Sequence, residues 1–344
     1  MNNILLICPD APEKLIALTP ALSILKRNFP RAKISVISPQ PWFFKNNSAV
    51  FSSMPLPRFH KLRRLLKEEK YDLLILTKPS FKYALAAFLA GVKKRIMPHN
   101  FYTSFLADTP VRTEAGQSAE KFFISLLKPL FVYLFPAERK IFVDKREEEQ
   151  AAEILKQAGL EAKDKFICIF PGAKRAHLNC GKEFYAKLND KIALKHKNLK
   201  ILLLTNGKED IHTANEIFWR CIKKPAIIRE VLDLDVLSAV IAYSQGVIGG
   251  CSLPAHIAAA LGKKSIVFAP LKAEDFLDIP PASAIIKPKP QPCEGNCLKT
   301  CRACCLKSIT LAQTYEVFDK IFTQKNSPKK GIFNEERTFS LFNN

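Results

Sequence analysis

No stretch of this chain reaches the roughly 20 apolar residues that a membrane-spanning helix needs. The longest approach, residues 122–135, is broken by Lys128 and Pro129. The opening residues lack the basic run and apolar core of a secretory signal, so a cytoplasmic protein with mainly reduced thiols is expected. Acidic side chains are scarce: 32 Asp and Glu stand against 53 Lys and Arg, a formal net charge of +21 over 344 residues. That imbalance suits an anionic partner, or else a generally lysine-rich, solvated surface. No aromatic ribonucleoprotein pattern, zinc-finger spacing or KH loop accompanies it, so nucleic acid is not expected. Acidic lipid headgroups and phosphorylated substrates remain.

What is present is an alternation of strand-like and helical patterns, the mark of parallel βαβ units. Strands are expected over residues 4–8, 34–38, 73–77 and 92–97, with helices over 15–28, 59–70 and 83–89. The charged run 145–150 opens a helix over 151–158, closed by Gly159, and the rhythm then restarts. Strands over 166–170, 201–205, 226–228 and 265–269 alternate with helices over 182–195, 209–221 and 236–244, and a helix over 311–322 closes the fold. The predicted class is α/β: two Rossmann-like, doubly wound parallel-sheet domains, residues 1–145 and 146–326, facing across a cleft. A polar tail, 327–344, follows.

The run Gly249-Gly250-Cys251-Ser252-Leu253-Pro254-Ala255-His256 follows apolar Val247-Ile248 and opens an Ala-rich helix. It therefore reads as a strand-to-helix turn, where free backbone N–H groups and the helix dipole can hold a phosphate. Pro171-Gly172-Ala173 reads as a second such turn, and Lys174 and Arg175 behind it are either phosphate ligands or solvated loop cations. Residues 122–135 read either as a membrane-surface segment or as a buried helix kinked at Pro129; Lys61, Arg63, Arg64, Lys67, Lys93, Lys94 and Arg95 add positive charge nearby in sequence. Cys293, Cys297, Cys301, Cys304 and Cys305 are numerous enough for a metal site, but their spacing is not a paired CxxC, so a structural loop is expected and no metal. Cys8, Cys168, Cys180, Cys221 and Cys251 are expected in the core.

In order and spacing these segments resemble the ADP-heptose:lipopolysaccharide heptosyltransferase family, glycosyltransferase family 9. The resemblance is carried by Leu15-Ile16-Ala17-Leu18-Thr19-Pro20-Ala21-Leu22 with Leu25-Lys26-Arg27-Asn28-Phe29-Pro30, by Tyr71-Asp72-Leu73-Leu74-Ile75 and Leu89–Ile96, by Phe170-Pro171-Gly172-Ala173, and by the cysteine loop with Ser308-Ile309-Thr310. It implies a GT-B architecture and metal-independent transfer of heptose, or a related sugar, from an ADP-sugar to the lipopolysaccharide inner core, a lipid A–Kdo type acceptor. It also implies action at the cytoplasmic face of the inner membrane, with peripheral contact to an anionic surface.

Three departures stand out. Counting back from Pro20, the family's Gly-Asp, whose aspartate is the general base, becomes Glu13-Lys14. A lysine serves as a base only if burial drives its pKa down by several units, so Glu13, and further off Asp10, are the candidate carboxylates; two solvated charges are the alternative. The family's Asp-Ser/Thr-Gly-x-x-His becomes Cys251-Ser252-Leu253-Pro254-Ala255-His256, which keeps Ser252 and His256 as donor ligands but adds a bulky Leu253. His256 reads equally as a packed or capping residue. The Lys-x-Trp-Pro element becomes His177, Asn179 and Cys180, leaving Lys174 and Arg175 to supply charge. Either the donor has diverged, or the chain is a non-catalytic homologue that binds a sugar nucleotide or glycolipid or scaffolds other transferases.

Overall fold

The computed structural model describes residues 1–114, 117–161, 163–172, 179–205, 207–270, 282–289 and 305–323. Two six-stranded sheets organise them, and every strand runs parallel to its neighbours. The first contains β1 (Asn3–Ile7), β2 (Lys33–Ile37), β3 (Ser52–Met54), β4 (Leu73–Leu76), β5 (Lys94–Pro98) and β6 (Thr109–Val111), in the order β3-β2-β1-β4-β5-β6. The second contains β7 (Lys165–Phe170), β8 (Leu199–Leu203), β9 (Ala226–Ile227), β10 (Gly246–Gly250), β11 (Lys264–Phe268) and β12 (Ala284–Ile286), in the order β9-β8-β7-β10-β11-β12. Both are doubly wound sheets of the dinucleotide-binding kind, and the winding reverses between β1 and β4 and again between β7 and β10. Central strands such as β1 and β4 are near-continuous apolar runs, because helices cover both faces of an all-parallel sheet.

The helices are α1 (Pro12–Asn28), α2 (Phe59–Glu69), α3 (Phe81–Leu89), α4 (Ala119–Ser125), α5 (Lys145–Gln157), α6 (Lys182–Lys195), α7 (Lys208–Arg220), α8 (Leu234–Tyr243), α9 (Leu253–Ala260) and α10 (Leu311–Phe318). α1 and α5 show the largest extensions ahead of the starts their patterns predict. α1 opens at Pro12, whose fixed φ and missing N–H suit a first helical position. α5 opens at Lys145, because Asp144 forms a capping box: its carboxylate accepts from the Arg146 and Glu147 amides, while Glu147 accepts from the Asp144 amide. The charged run is thus the helix's first turns.

α1 is buried along most of its length and packs against both α4 and α9, so one apolar cluster spans the two halves, from Leu15 and Leu22 to Leu253 and Ile257. Pro20 inside α1 has no N–H for the Ile16 carbonyl. The Thr19 hydroxyl supplies one, donating to Ile16 O at 2.8 Å, and accepts the Lys140 amide at 2.9 Å. One side chain therefore repairs the helix and ties the crossing segment to it.

The 122–135 segment divides. Phe123, Leu126 and Leu127 are buried, whereas Phe131 and Tyr133, beyond the turn at Lys128–Leu130, are exposed. Among the described residues no helix is long and apolar enough to cross a membrane.

Candidate functional site

In open parallel sheets ligands gather beyond the carboxyl ends of the strands, where the winding reverses. At that place in the first sheet the chain leaves β1 through Cys8-Pro9-Asp10 and turns into α1. Asp10 is buried, and its Oδ2 accepts the Thr77 hydroxyl at 2.8 Å and the Cys8 thiol at 3.5 Å. Thr77 lies just past β4, so this bond joins the two strands that flank the reversal. Burial, and then the Asp10 charge, push the Cys8 thiol far up, which keeps it an S–H donor at neutral pH. Lys14 Nζ lies 3.4 Å from Asp10 Oδ1 with its side chain 51% exposed. Glu13 and Lys14 are therefore not loop residues, as expected, but form the first turn of α1. There Glu13 is well placed against the helix dipole, and Lys14 draws its partner from the preceding loop.

At the matching place in the second sheet the described residues are glycines of β10, the start of α9 and, beside Gly172, the Asp210 carboxylate. Gly249 and Gly250 belong to β10 itself rather than to a freely turning loop. A Cβ on Gly249 would stand 2.6 Å from the Phe170 carbonyl oxygen, so glycine is needed there for β10 to meet β7. Gly172 is crowded in the same way, by the Asp210 carboxylate and the Phe170 ring. Ser252 is the extended N-cap of α9, but its hydroxyl donates to Gly250 O at 3.2 Å instead of capping the helix. Leu253, expected to crowd a bound diphosphate, turns inward and joins the shared core.

His256 is buried, and its Nδ1 lies 3.1 Å from Arg139 Nη1. A guanidinium only donates, so Nδ1 accepts and the ring proton sits on Nε2. Arg139, itself buried, also donates through Nε to Glu120 Oε2 at 2.9 Å. The chain Glu120–Arg139–His256 thus links α4, the crossing segment and α9. Nothing in the local pattern around Arg139 announces this; the partners are far apart in sequence and meet only in the fold.

Ser252 and His256 share one helix start, and Gly172 ends the neighbouring strand's exit, while Glu13 and Lys14 stand on the opposite sheet. Lys174, Arg175 and His177 lie outside the described residues, as do Cys293, Cys297, Cys301 and Cys304. Cys8, Cys168, Cys180, Cys221 and Cys305 are buried, and Cys251 is half-buried. Two hollows bounded by described residues lie away from both turns: about 690 Å³ beside α5 and about 610 Å³ at the start of α6. Neither adjoins Asp10 or Ser252.

The family model described as glycosyltransferase family 9 (heptosyltransferase) matches residues 59–301, more than half the chain. The chain belongs to glycosyltransferase family 9. Lipopolysaccharide heptosyltransferase 3 of Escherichia coli is 26% identical over 72% of this chain and 77% of its own length. Among solved structures, a family 9 glycosyltransferase from Veillonella parvula superposes with a TM-score of 0.80 at 17% identity, covering 93% of this chain and 96% of that one. E. coli ADP-heptose lipopolysaccharide heptosyltransferase II gives a TM-score of 0.74 at 20% identity over 93% and 98% of the two chains. These likenesses establish the GT-B fold of the family 9 protein, and membership establishes it as a glycosyltransferase family protein of heptosyltransferase type.

Proposed function

We propose that this family 9 protein transfers a heptose, or a closely related sugar, from an ADP-sugar to the inner core of lipopolysaccharide at the inner face of the inner membrane, without a metal ion. The supporting observation is the pairing of two reversal points, one where Lys14 meets Asp10 and one where the glycines of β10 lead into α9, on halves that share a core. The acceptor hydroxyl attacks the anomeric carbon, the bond to the diphosphate breaks, and the proton passes to a carboxylate. We assign that carboxylate to Glu13, in the first turn of α1. Asp10 accepts from Thr77 and Cys8 and pairs with Lys14. It holds the Lys14 ammonium in place, and that cation offsets negative charge on the leaving diphosphate or on the acceptor. Gly172, Ser252 and the α9 start, with Lys174, Arg175 and His177, receive the diphosphate. His256, buried against Arg139, fixes how α9 meets the other half.

A second reading is favoured by one fact: Lys14 stands where the family resemblance places an aspartate. The chain would then be a non-catalytic homologue that binds a sugar nucleotide or glycolipid or scaffolds other transferases. Calorimetry with ADP and ADP-heptose, paired with transfer assays on Glu13→Gln, separates the two. The transfer reading requires nucleotide binding in both proteins and a loss of turnover of about 10²-fold or more in the variant. Unchanged turnover removes Glu13 from the role. Binding without any transfer by the natural sequence leaves the non-catalytic reading. A ligand that binds only the folded chain raises its melting temperature by mass action, so even weak nucleotide binding registers.

A further inference from the structure

We infer that the surface formed by α3 and residues 100–106 rests on an anionic lipid bilayer and delivers the acceptor to the charged end of the first sheet. Phe101, Tyr102 and Phe105 are 87%, 75% and 70% exposed, and Phe81 and Phe88 on α3 are each about half exposed. Phe81 and Phe105 are in ring contact, with centroids 6.5 Å apart, and Phe101 and Tyr102 meet edge to face at 5.4 Å. Scattered apolar residues on a surface need no explanation, but a contiguous aromatic group marks a contact site.

The surroundings decide the kind of contact. Lys78, Lys82, Arg58 and Lys61 are exposed around the upper rim, where Lys82 donates to the Pro57 carbonyl and so draws the starts of α2 and α3 together. Lower down the same face, near the start of β5, Arg95 lies 5.5 Å over the Phe88 ring at the far end of α3. Protein–protein contacts are poor in lysine, whereas aromatic rings seated at headgroup level and ringed by lysine and arginine suit acidic lipid. The chain's net charge of +21 acts in the same direction.

Position completes the argument. Residues 100–106 leave the carboxyl end of β5, and Phe81 follows shortly after Thr77, the hydroxyl that holds Asp10. β5 and β1 flank β4, so their ends stand about 10 Å apart. The patch therefore stands at the same, carboxyl end of the sheet as Glu13 and Lys14, on the face covered by α3, with α1 on the other. The other exposed aromatic group, Phe131 and Tyr133, lies at the opposite end of the sheet: Tyr133 is held by Asn28, the last residue of α1, and Lys94, which opens β5, donates to Pro129 O.

The inference rests on the reading of a membrane-borne acceptor, but its test needs no turnover. The full chain is sedimented with vesicles of phosphatidylcholine alone and of phosphatidylcholine with phosphatidylglycerol. Binding to the anionic vesicles is expected, and it should fall at least about tenfold in the triple variant Phe101→Ser, Tyr102→Ser, Phe105→Ser with its melting temperature unchanged. Phe131→Ser with Tyr133→Ser should bind as the natural sequence does. Equal binding by the triple variant, equal binding to neutral vesicles, or loss in the Phe131/Tyr133 variant overturns the assignment. So does a change of oligomeric state by light scattering in the triple variant with vesicle binding intact, which would make the face a contact between copies. Transfer to a deacylated, soluble acceptor tests the transfer reading separately and should survive in the triple variant.

Discussion

The two sheets share a strand order yet close their reversal points in opposite ways. In the first, a buried carboxylate bridges β1 and β4 through Thr77 and holds a lysine at the surface. In the second, among the described residues, glycine lets β10 approach β7, Ser252 turns back on Gly250, and Leu253 faces the core. In the proposed function, the backbone that comes near the diphosphate is built with glycine, whereas the surface that handles the acceptor hydroxyl is built by placing charges. Similar topology therefore does not predict similar tolerance to mutation.

Severing the link between the halves should have the largest effect. Arg139→Ala leaves the Glu120 carboxylate without its ion-pair partner and removes the donor to His256, and it should lower stability by about 3 kcal/mol, read as a shift of the urea midpoint. If the loss is below about 1 kcal/mol, the halves are not held through this chain. Gly249→Ala tests the glycine side, where the added methyl meets the Phe170 carbonyl; a cost of about 2 kcal/mol and weakened ADP binding are expected. An equal cost for Asp10→Asn, on the charged side, would erase the contrast. Asp10→Asn should cost only about 1 kcal/mol, because Thr77 keeps an acceptor and Lys14 is half exposed.

The smallest effect contrasts a matched charge with an unmatched one. Asp235, where α8 packs on α5, is pushed up to about 6 by burial and then by Glu147, Asp233 and Asp144, with Lys45 acting the other way. Between the ordinary carboxylate value of 3.8 and about 6 the folded chain keeps a proton that the unfolded chain releases. Stability therefore falls as pH rises through that window and stays lower above it. Asp235→Asn should recover up to about 1 kcal/mol at pH 7, after screening of a part-exposed group, and nothing below pH 4; thermal melts across the range read both limits.

Much of this architecture was legible in the sequence where burial is complete. β1, β4, β7 and β11 read as apolar runs, and α6 showed its amphipathic pattern over its full length. The edge strands β3 and β6 were not legible, since three mixed residues with one open side carry no apolar signature, and β12, though apolar, is too short to stand out. The starts of α1 and α5 were hidden because proline and charged residues read as loop until their capping role is seen. At the candidate site, the sequence marked the strand-to-helix turns but not which side chains meet there. Asp10 with Thr77, and Arg139 with His256, pair across 67 and 117 positions, a distance no local pattern spans.

α1 belongs to neither half alone. Its first turn carries Glu13 and Lys14, its middle holds Lys140 through Thr19, and its flank packs on α9, which begins at Ser252. A ligand that shifts α9 must therefore do work on the same rod that carries Glu13 and Lys14. In the proposed function, donor and acceptor affinities are then reciprocally linked, each raising or lowering the other by a common factor. That coupling is a mechanical property of a single helix.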